Sequence, residues 1–188
     1  MGENEDEITV MKKICLLGDP AVGKTSLINR YVHNVFDDKY LSTIGAKVSK
    51  KSIVIQDTNS PKSIRLNLML WDIAGQTTYD WIKPTYYKNA EGAIFVSDLT
   101  REETIDNIEK WVEPLFKTCG TIPLVLLGNK CDLNPGSDNY IKKLEEKASK
   151  FNTSYYLTSA LSGKNVNEGF KLLSIKMIQD FLKKQEKK

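Results

Sequence analysis

The chain has 188 residues, 40% hydrophobic and 27% charged, with a formal net charge of +3. That length suits one domain with a sizeable core, the composition is ordinary for a soluble globular protein, and so mild a charge gives no argument for nucleic-acid binding. No apolar stretch is long enough to span a bilayer, and the scattered Cys15, Cys119 and Cys131 argue against a disulfide framework or zinc site and for a cytoplasmic setting.

Residues 1–9 are acidic (Glu3, Glu5, Asp6, Glu7) and predict a disordered extension without a secretory signal. Asp6 stands where a myristoylation motif wants Ser or Thr. A strand is predicted over 10–17, ending in the apolar run Ile14-Cys15-Leu16-Leu17. It is followed by Gly18-Asp19-Pro20-Ala21-Val22-Gly23-Lys24-Thr25, which fits G-x-x-x-x-G-K-[ST], and by a helical pattern from Lys24 to His33. A glycine-rich loop between strand and helix cradles phosphates with backbone N–H groups and the helix N-terminus. Lys24 is expected to reach the β- and γ-phosphates, and the Thr25 hydroxyl to bind Mg²⁺. His33, the single histidine, is expected at the exposed helix end.

Thr43 sits in the next loop, Leu41-Ser42-Thr43-Ile44-Gly45. Alone, a loop threonine carries no information; its place between the other segments makes it a candidate for completing the Mg²⁺ shell and touching the γ-phosphate. Strands are predicted over 46–57 and 64–72, with the turn cluster Asp57 to Lys62 making them an antiparallel hairpin. The second ends in Asp72-Ile73-Ala74-Gly75-Gln76. An Asp there can hold Mg²⁺, the Gly75 N–H can meet a γ-phosphate, and Gln76 can orient water.

Buried strands are predicted at Ala93 to Val96 and Leu124 to Leu127. A helix from Thr104 to Phe116 between them turns Ile105, Ile108, Trp111, Val112 and Leu115 to the core. Asp98 is expected to cap the turn before that helix rather than bind metal. Gly128-Asn129-Lys130-Cys131-Asp132 fits N-K-x-D. A carboxylate at Asp132 can accept from guanine N1–H and the 2-amino group, whereas adenine would leave it unpaired at a cost of ~1–3 kcal/mol. Asn129 is expected to tie this loop to the phosphate loop, and the Lys130 stem to lie along the purine. Helices follow at 140–151 and 166–182, with a strand at 154–157 between them. A backbone N–H at Ala160, in Thr158-Ser159-Ala160, is a candidate donor to guanine O6.

The alternation predicts an α/β fold of the P-loop NTPase type: a doubly wound, mostly parallel six-stranded sheet with about five helices on both faces. The expected organisation is one domain over 10–182, ending in a basic tail at 183–188.

These segments, in this order, resemble the Ras superfamily of small GTPases, and most closely its Rab branch. Ser42-Thr43-Ile44-Gly45 is similar to the Rab first switch, Trp71-Asp72 with Ala74-Gly75-Gln76 to its W-D-T-A-G-Q segment, and Tyr86-Tyr87-Lys88-Asn89-Ala90 to its Y-Y-R-G-A segment. The resemblance implies a GTP/GDP switch with Mg²⁺ on Thr25, Thr43 and Asp72, slow hydrolysis through Gln76, Lys24 and Thr43, and a role in intracellular signalling or vesicle trafficking. It assigns the phosphates to Asp19, Pro20, Ala21, Val22, Gly23, Lys24, Thr25, Ser26, Thr43 and Gly75. It assigns the nucleoside to Phe36, Tyr40, Asn129, Lys130, Asp132, Leu133, Ser159, Ala160 and Leu161.

It also implies a monomer whose effector, exchange and activating proteins read switch regions at about 36–45 and 73–88, with Trp71 and Tyr86 as two of three aromatic residues that effectors contact. Val48 replaces the third, Thr77 replaces an acidic residue, the 46–72 hairpin is longer, and Pro20 stands at a variable phosphate-loop position. With no prenylation cysteine, the chain is expected in the cytoplasm, reaching a membrane through a partner, through a C-terminal segment outside this sequence, or not at all. Two rivals remain at this stage: a nucleotide-binding recruitment module that scarcely hydrolyses, and an ATP-using enzyme, which N-K-x-D disfavours.

Overall fold

The structure is a computed structural model, and it describes residues 7–37, 42–56, 63–75, 83–133 and 138–185. Tyr40, Gln76, Thr77, Trp81 and the hairpin turn at 57–62 lie outside the described residues.

The elements run β1 (Glu7–Leu17), α1 (Lys24–His33), β2 (Ala46–Gln56), β3 (Ser63–Ile73), α2 (Lys83–Tyr87), β4 (Gly92–Asp98), α3 (Glu103–Asp106), α4 (Ile108–Cys119), β5 (Leu124–Asn129), α5 (Asp138–Lys150), β6 (Ser154–Leu157) and α6 (Val166–Gln185). The six strands form one sheet in the order β2-β3-β1-β4-β5-β6. Only the β2–β3 pair is antiparallel. This is the doubly wound sheet expected from the alternation.

Burial explains the strand patterns. Every residue of β4 and β5 is buried, as their continuous apolar runs require in a sheet covered on both faces. In β3 the burial alternates, with Leu66, Leu68 and Leu70 facing inward. On one face these leucines pack with α1 and α6, where the Tyr31 and Phe170 rings stack at 4.1 Å. On the other, Ile108, Trp111, Val112 and Leu115 of α4 join Tyr87 of α2 and Leu144 of α5 over Cys15, Leu17, Phe95 and Leu126. Cys15 is buried in this cluster, and desolvation pushes its thiol up to about 12, so it serves as a small apolar residue.

Two expectations need correction, and one element was not anticipated. β1 begins at Glu7, inside the span read as disordered, because β3 is long enough to pair Glu7 with Ser63 and satisfy its backbone. The helix read over 104–116 is two helices, α3 and α4, broken at Asn107 (φ −78°, ψ 1°). The apolar period runs through the break, since Ile105 and Ile108 are both buried, so the sequence shows no interruption. Helix α2 gave no sequence signal: it has five residues, with Pro84 tolerated in its first turn.

The C-terminal ends of β1, β3, β4, β5 and β6 lie on one edge of the sheet, and those of β1, β3, β5 and β6 lead into the motif loops. Because Phe170 is fully buried and stacked on Tyr31, Phe170→Ala is expected to destabilise the fold by about 3–5 kcal/mol, measured by urea unfolding.

Candidate functional site

The phosphate-loop motif links β1 to α1. Its curvature needs positive φ at Gly18 (135°), Ala21 (60°) and Gly23 (100°). At Gly23 a Cβ would also lie 2.3 Å from Asn129 Nδ2, so both conformation and space demand glycine. Lys24 turns back into the loop, where its ammonium donates to the carbonyls of Gly18 (2.8 Å) and Asp19 (2.9 Å). Burial draws the Lys24 pKa down to about 8, against the opposing pull of Asp72 and Asp19. A buried cation with only carbonyls and distant carboxylates around it is chemically suited to receive an anion.

Three residues from separate segments meet beside it. The Thr25 hydroxyl donates to Asp72 Oδ2 and lies 3.1 Å from the Thr43 hydroxyl. Thr43 in turn reaches Asp72 Oδ2 at 3.4 Å. Asp72 is buried, and its Oδ1 is one of two buried side-chain polar atoms without a hydrogen-bond partner among the described residues. Desolvation raises the Asp72 pKa, opposed by the Thr25 bond, Lys24 and Thr43. A dry carboxylate oxygen without a donor, flanked by two hydroxyls, fits a hard cation that takes one protein carboxylate and fills its remaining positions with water and phosphate. Among the described residues no three His, Cys, Asp or Glu side chains cluster as a metal site of their own.

The purine end is built around Asn129. Its Nδ2 donates to the Val22 carbonyl (2.9 Å), and its Oδ1 accepts from the Ala160 N–H (3.2 Å) and the Thr158 hydroxyl (3.3 Å). The Ala160 N–H, expected to face a base oxygen, is thus directed at Asn129 in this structure. Lys130 has a left-handed backbone (φ 65°), and its ammonium lies 2.7 Å from Asp98 Oδ2. Asp98 also accepts from the Thr100 N–H and hydroxyl and from Arg101. Burial pushes its pKa up, but Lys130 and Thr100 outweigh it and hold the group below its ordinary value. Asp98 therefore caps a turn and anchors Lys130. Arg30 of α1 holds the 158–161 loop by donating to the Ala160 (2.9 Å) and Leu161 (2.6 Å) carbonyls.

One cleft of about 720 Å³ joins the two ends. Pro20, Ala21, Gly23, Lys24, Thr25, Ser26, Phe36, Thr43, Asp72 and Gly75 line it together with Asn129, Lys130, Asp132, Leu133, Ala160 and Leu161. Val22 and Ser159, expected at the nucleotide, are fully buried and do not line it. Asp19 does not line it either: its carboxylate turns away, accepting from Asn107 Nδ2 and Trp111 Nε1 at 2.8 Å each. Sequence reasoning missed Asn29, Asp37, Ser42, Ile44 and Lys47 in the lining. For Lys47 a signal existed, since the hairpin register sets it opposite Asp72. His33 is exposed at the end of α1 and takes no part.

On the β2–β3 surface, Val48 is paired in register with Trp71, whose ring lies 6.4 Å from that of Tyr86. The Lys13 ammonium covers the Trp71 ring at 3.9 Å. Among the described residues no helix is long and apolar enough to cross a membrane.

The strand order, with the phosphate-loop motif at the tip of β1, places the chain among the P-loop nucleoside triphosphatases of α/β fold. Residues 13–179 match the sequence model of the Ras family. The chain is 38% identical over 168 residues to the Ras-related protein Rab-21 of Homo sapiens, covering 89% of this chain and 72% of that one. It is 36% identical over 174 residues to Rab-21 of Geodia cydonium (92% and 73% covered), and 37% identical over 172 residues to the GTP-binding protein ypt5 of Schizosaccharomyces pombe (90% and 79%). The chain belongs to the Ras family, as a Rab-like small GTPase.

The depressed Lys24 pKa has a signed consequence for the nucleotide-free protein. Below pH about 8 the ammonium is charged whether folded or unfolded; between about 8 and its ordinary 10.5 the unfolded chain holds more of that proton. Stability from this group therefore rises with pH across that window and levels above it. Urea unfolding should show this rise in the parent relative to Lys24→Met; a constant difference from pH 7 to 10.5 would mean that Lys24 is well solvated.

Proposed function

We propose that the cleft holds GTP or GDP with Mg²⁺, that the chain hydrolyses GTP slowly, and that it works as a switch in vesicle trafficking or related signalling. The observation that carries the reading is that Lys24 and Asp132 line one cleft whose two ends share Asn129. In this reading the loop amides and Lys24 bind the β- and γ-phosphates, and the Lys24 ammonium stabilises charge developing between them. Thr25, Thr43 and Asp72 hold the Mg²⁺, which when bound neutralises phosphate charge. Gln76 orients the attacking water, and the Gly75 N–H meets the γ-phosphate. Asp132 reads guanine from its N1–H and 2-amino edge while the Lys130 stem, fixed by Asp98, lies along the ring. Phe36, half-buried against the core and lining the cleft, bounds the nucleoside, to which the family resemblance also assigns Tyr40.

Thr43 and Gly75 then hold the two regions at about 36–45 and 73–88 while a γ-phosphate is present and release them after hydrolysis. Effector, exchange and activating proteins read these regions on a monomer, with Trp71 and Tyr86 in the effector surface. The protein acts in the cytoplasm and peripherally at a membrane face. The described residues bring no arginine to a finger position: Arg101 lies at the phosphate loop, but it donates to the Pro20 carbonyl (2.8 Å) and Asp98. Slow intrinsic turnover is consistent with this.

Asp132→Asn exchanges an acceptor for a donor at the base edge. Because xanthine carries a carbonyl where guanine has its amino group, preference should move from GTP toward XTP, read by competitive displacement of a fluorescent nucleotide. GTP binding equal to the parent's would remove Asp132 from the base site.

A further inference from the structure

Asp19 immediately follows the first glycine of the phosphate loop, yet both its carboxylate oxygens are taken by the α3–α4 region: Oδ2 by Asn107 and Oδ1 by the Trp111 indole N–H. The same indole is the seat of a second contact. Lys83, the first residue of α2, is buried, and its ammonium stands 3.5 Å from the centroid of the Trp111 ring. A cation this close to an indole face and this poorly hydrated is a strong cation–π pair. Lys83 also lies near enough to Lys24 to favour that residue's neutral form.

The near end of the second switch touches the same residue. A Cβ on Gly75 would lie 2.5 Å from the Asp19 carbonyl carbon and from the Pro20 nitrogen, so the Gly75 backbone rests directly on the Asp19–Pro20 peptide. Gly75 and Lys83 are therefore both linked to Asp19, the first through backbone contact and the second through Trp111.

Building on the nucleotide-switch reading, we infer that Lys83 is a positioning residue of the second switch: its ammonium seats α2 on Trp111, whose N–H is bonded to Asp19, so that the seat of α2 and the position of Gly75 share one anchor at the phosphate loop and answer together to the nucleotide state. Asn107 makes Asp19 a fixed point by holding its other oxygen. The break between α3 and α4 at Asn107 thereby gains a role, since that side chain does not cap α4: its nitrogen turns to Asp19 of the phosphate loop while its oxygen accepts from Lys110.

The test uses the full chain carrying Trp71→Phe and Trp81→Phe, which leaves Trp111 as the only indole of the three. Acrylamide quenching of Trp111 is measured with GDP and with a non-hydrolysable GTP analogue in this background, in Lys83→Met and in Lys83→Arg. Removing the ammonium in Lys83→Met is expected to raise quenching about twofold or more and to abolish the difference between the two nucleotides, while Lys83→Arg keeps the cation and restores both. Quenching in Lys83→Met equal to the background, rescue absent in Lys83→Arg, or no difference between the two nucleotides in the background would overturn the proposal. Nucleotide binding is followed separately with a fluorescent GDP. A chain that binds none refutes the switch reading, whereas one that binds it and fails the quenching comparison refutes only the role of Lys83.

Discussion

The site depends on one buried carboxamide. Asn129 binds the Val22 carbonyl of the phosphate loop with its amide nitrogen and takes the Ala160 N–H and the Thr158 hydroxyl with its oxygen. Three loops at the ends of three strands are thereby fixed at one separation, which sets the span between the phosphate end of the cleft and its purine end. The bonds are dry, so losing any one of them leaves a polar atom unpaired in the interior. The neighbouring Gly23 shows how tight the constraint is, since a single added carbon would meet the Asn129 nitrogen.

Around this fixed frame the protein keeps charges that its own fold does not satisfy. Lys24 is buried with only carbonyls for partners, and Asp72 is buried with one oxygen without a donor. Desolvation pushes each of these groups toward its neutral form. The fold bears this cost because neither group is completed from within: an anion beside Lys24 and a cation beside Asp72 would satisfy both at once. By contrast Asp98, equally buried, is fully paired with Lys130, Arg101 and Thr100. The difference separates charged groups left open to an outside partner from those that hold the frame.

The sequence exposed the site wherever chemistry and spacing were local. G-x-x-x-x-G-K-T and N-K-x-D each sit at a strand end, and their apolar runs predicted those strands. Thr43 was readable only from its order relative to the other segments, and the fold brings it within reach of Thr25 and Asp72. What stayed hidden is non-local. Asp19 reads as a phosphate-loop residue, but its carboxylate belongs to Asn107 and Trp111, 88 and 92 residues away. Trp111 reads correctly as core, yet its N–H and its ring face carry two further contacts. The first residues of β1 looked too acidic for a strand, and only pairing with a long β3 orders Glu7 and its neighbours. In each case the deciding partner is supplied by packing rather than by sequence neighbours.

The central claim is that one cleft grips a polyphosphate and inspects a guanine. Chromatography of the nucleotide released by denaturing the purified protein tests it most directly. GDP or GTP at close to one per chain is the predicted result. Adenine nucleotides at that stoichiometry, in place of guanine nucleotides, would contradict it.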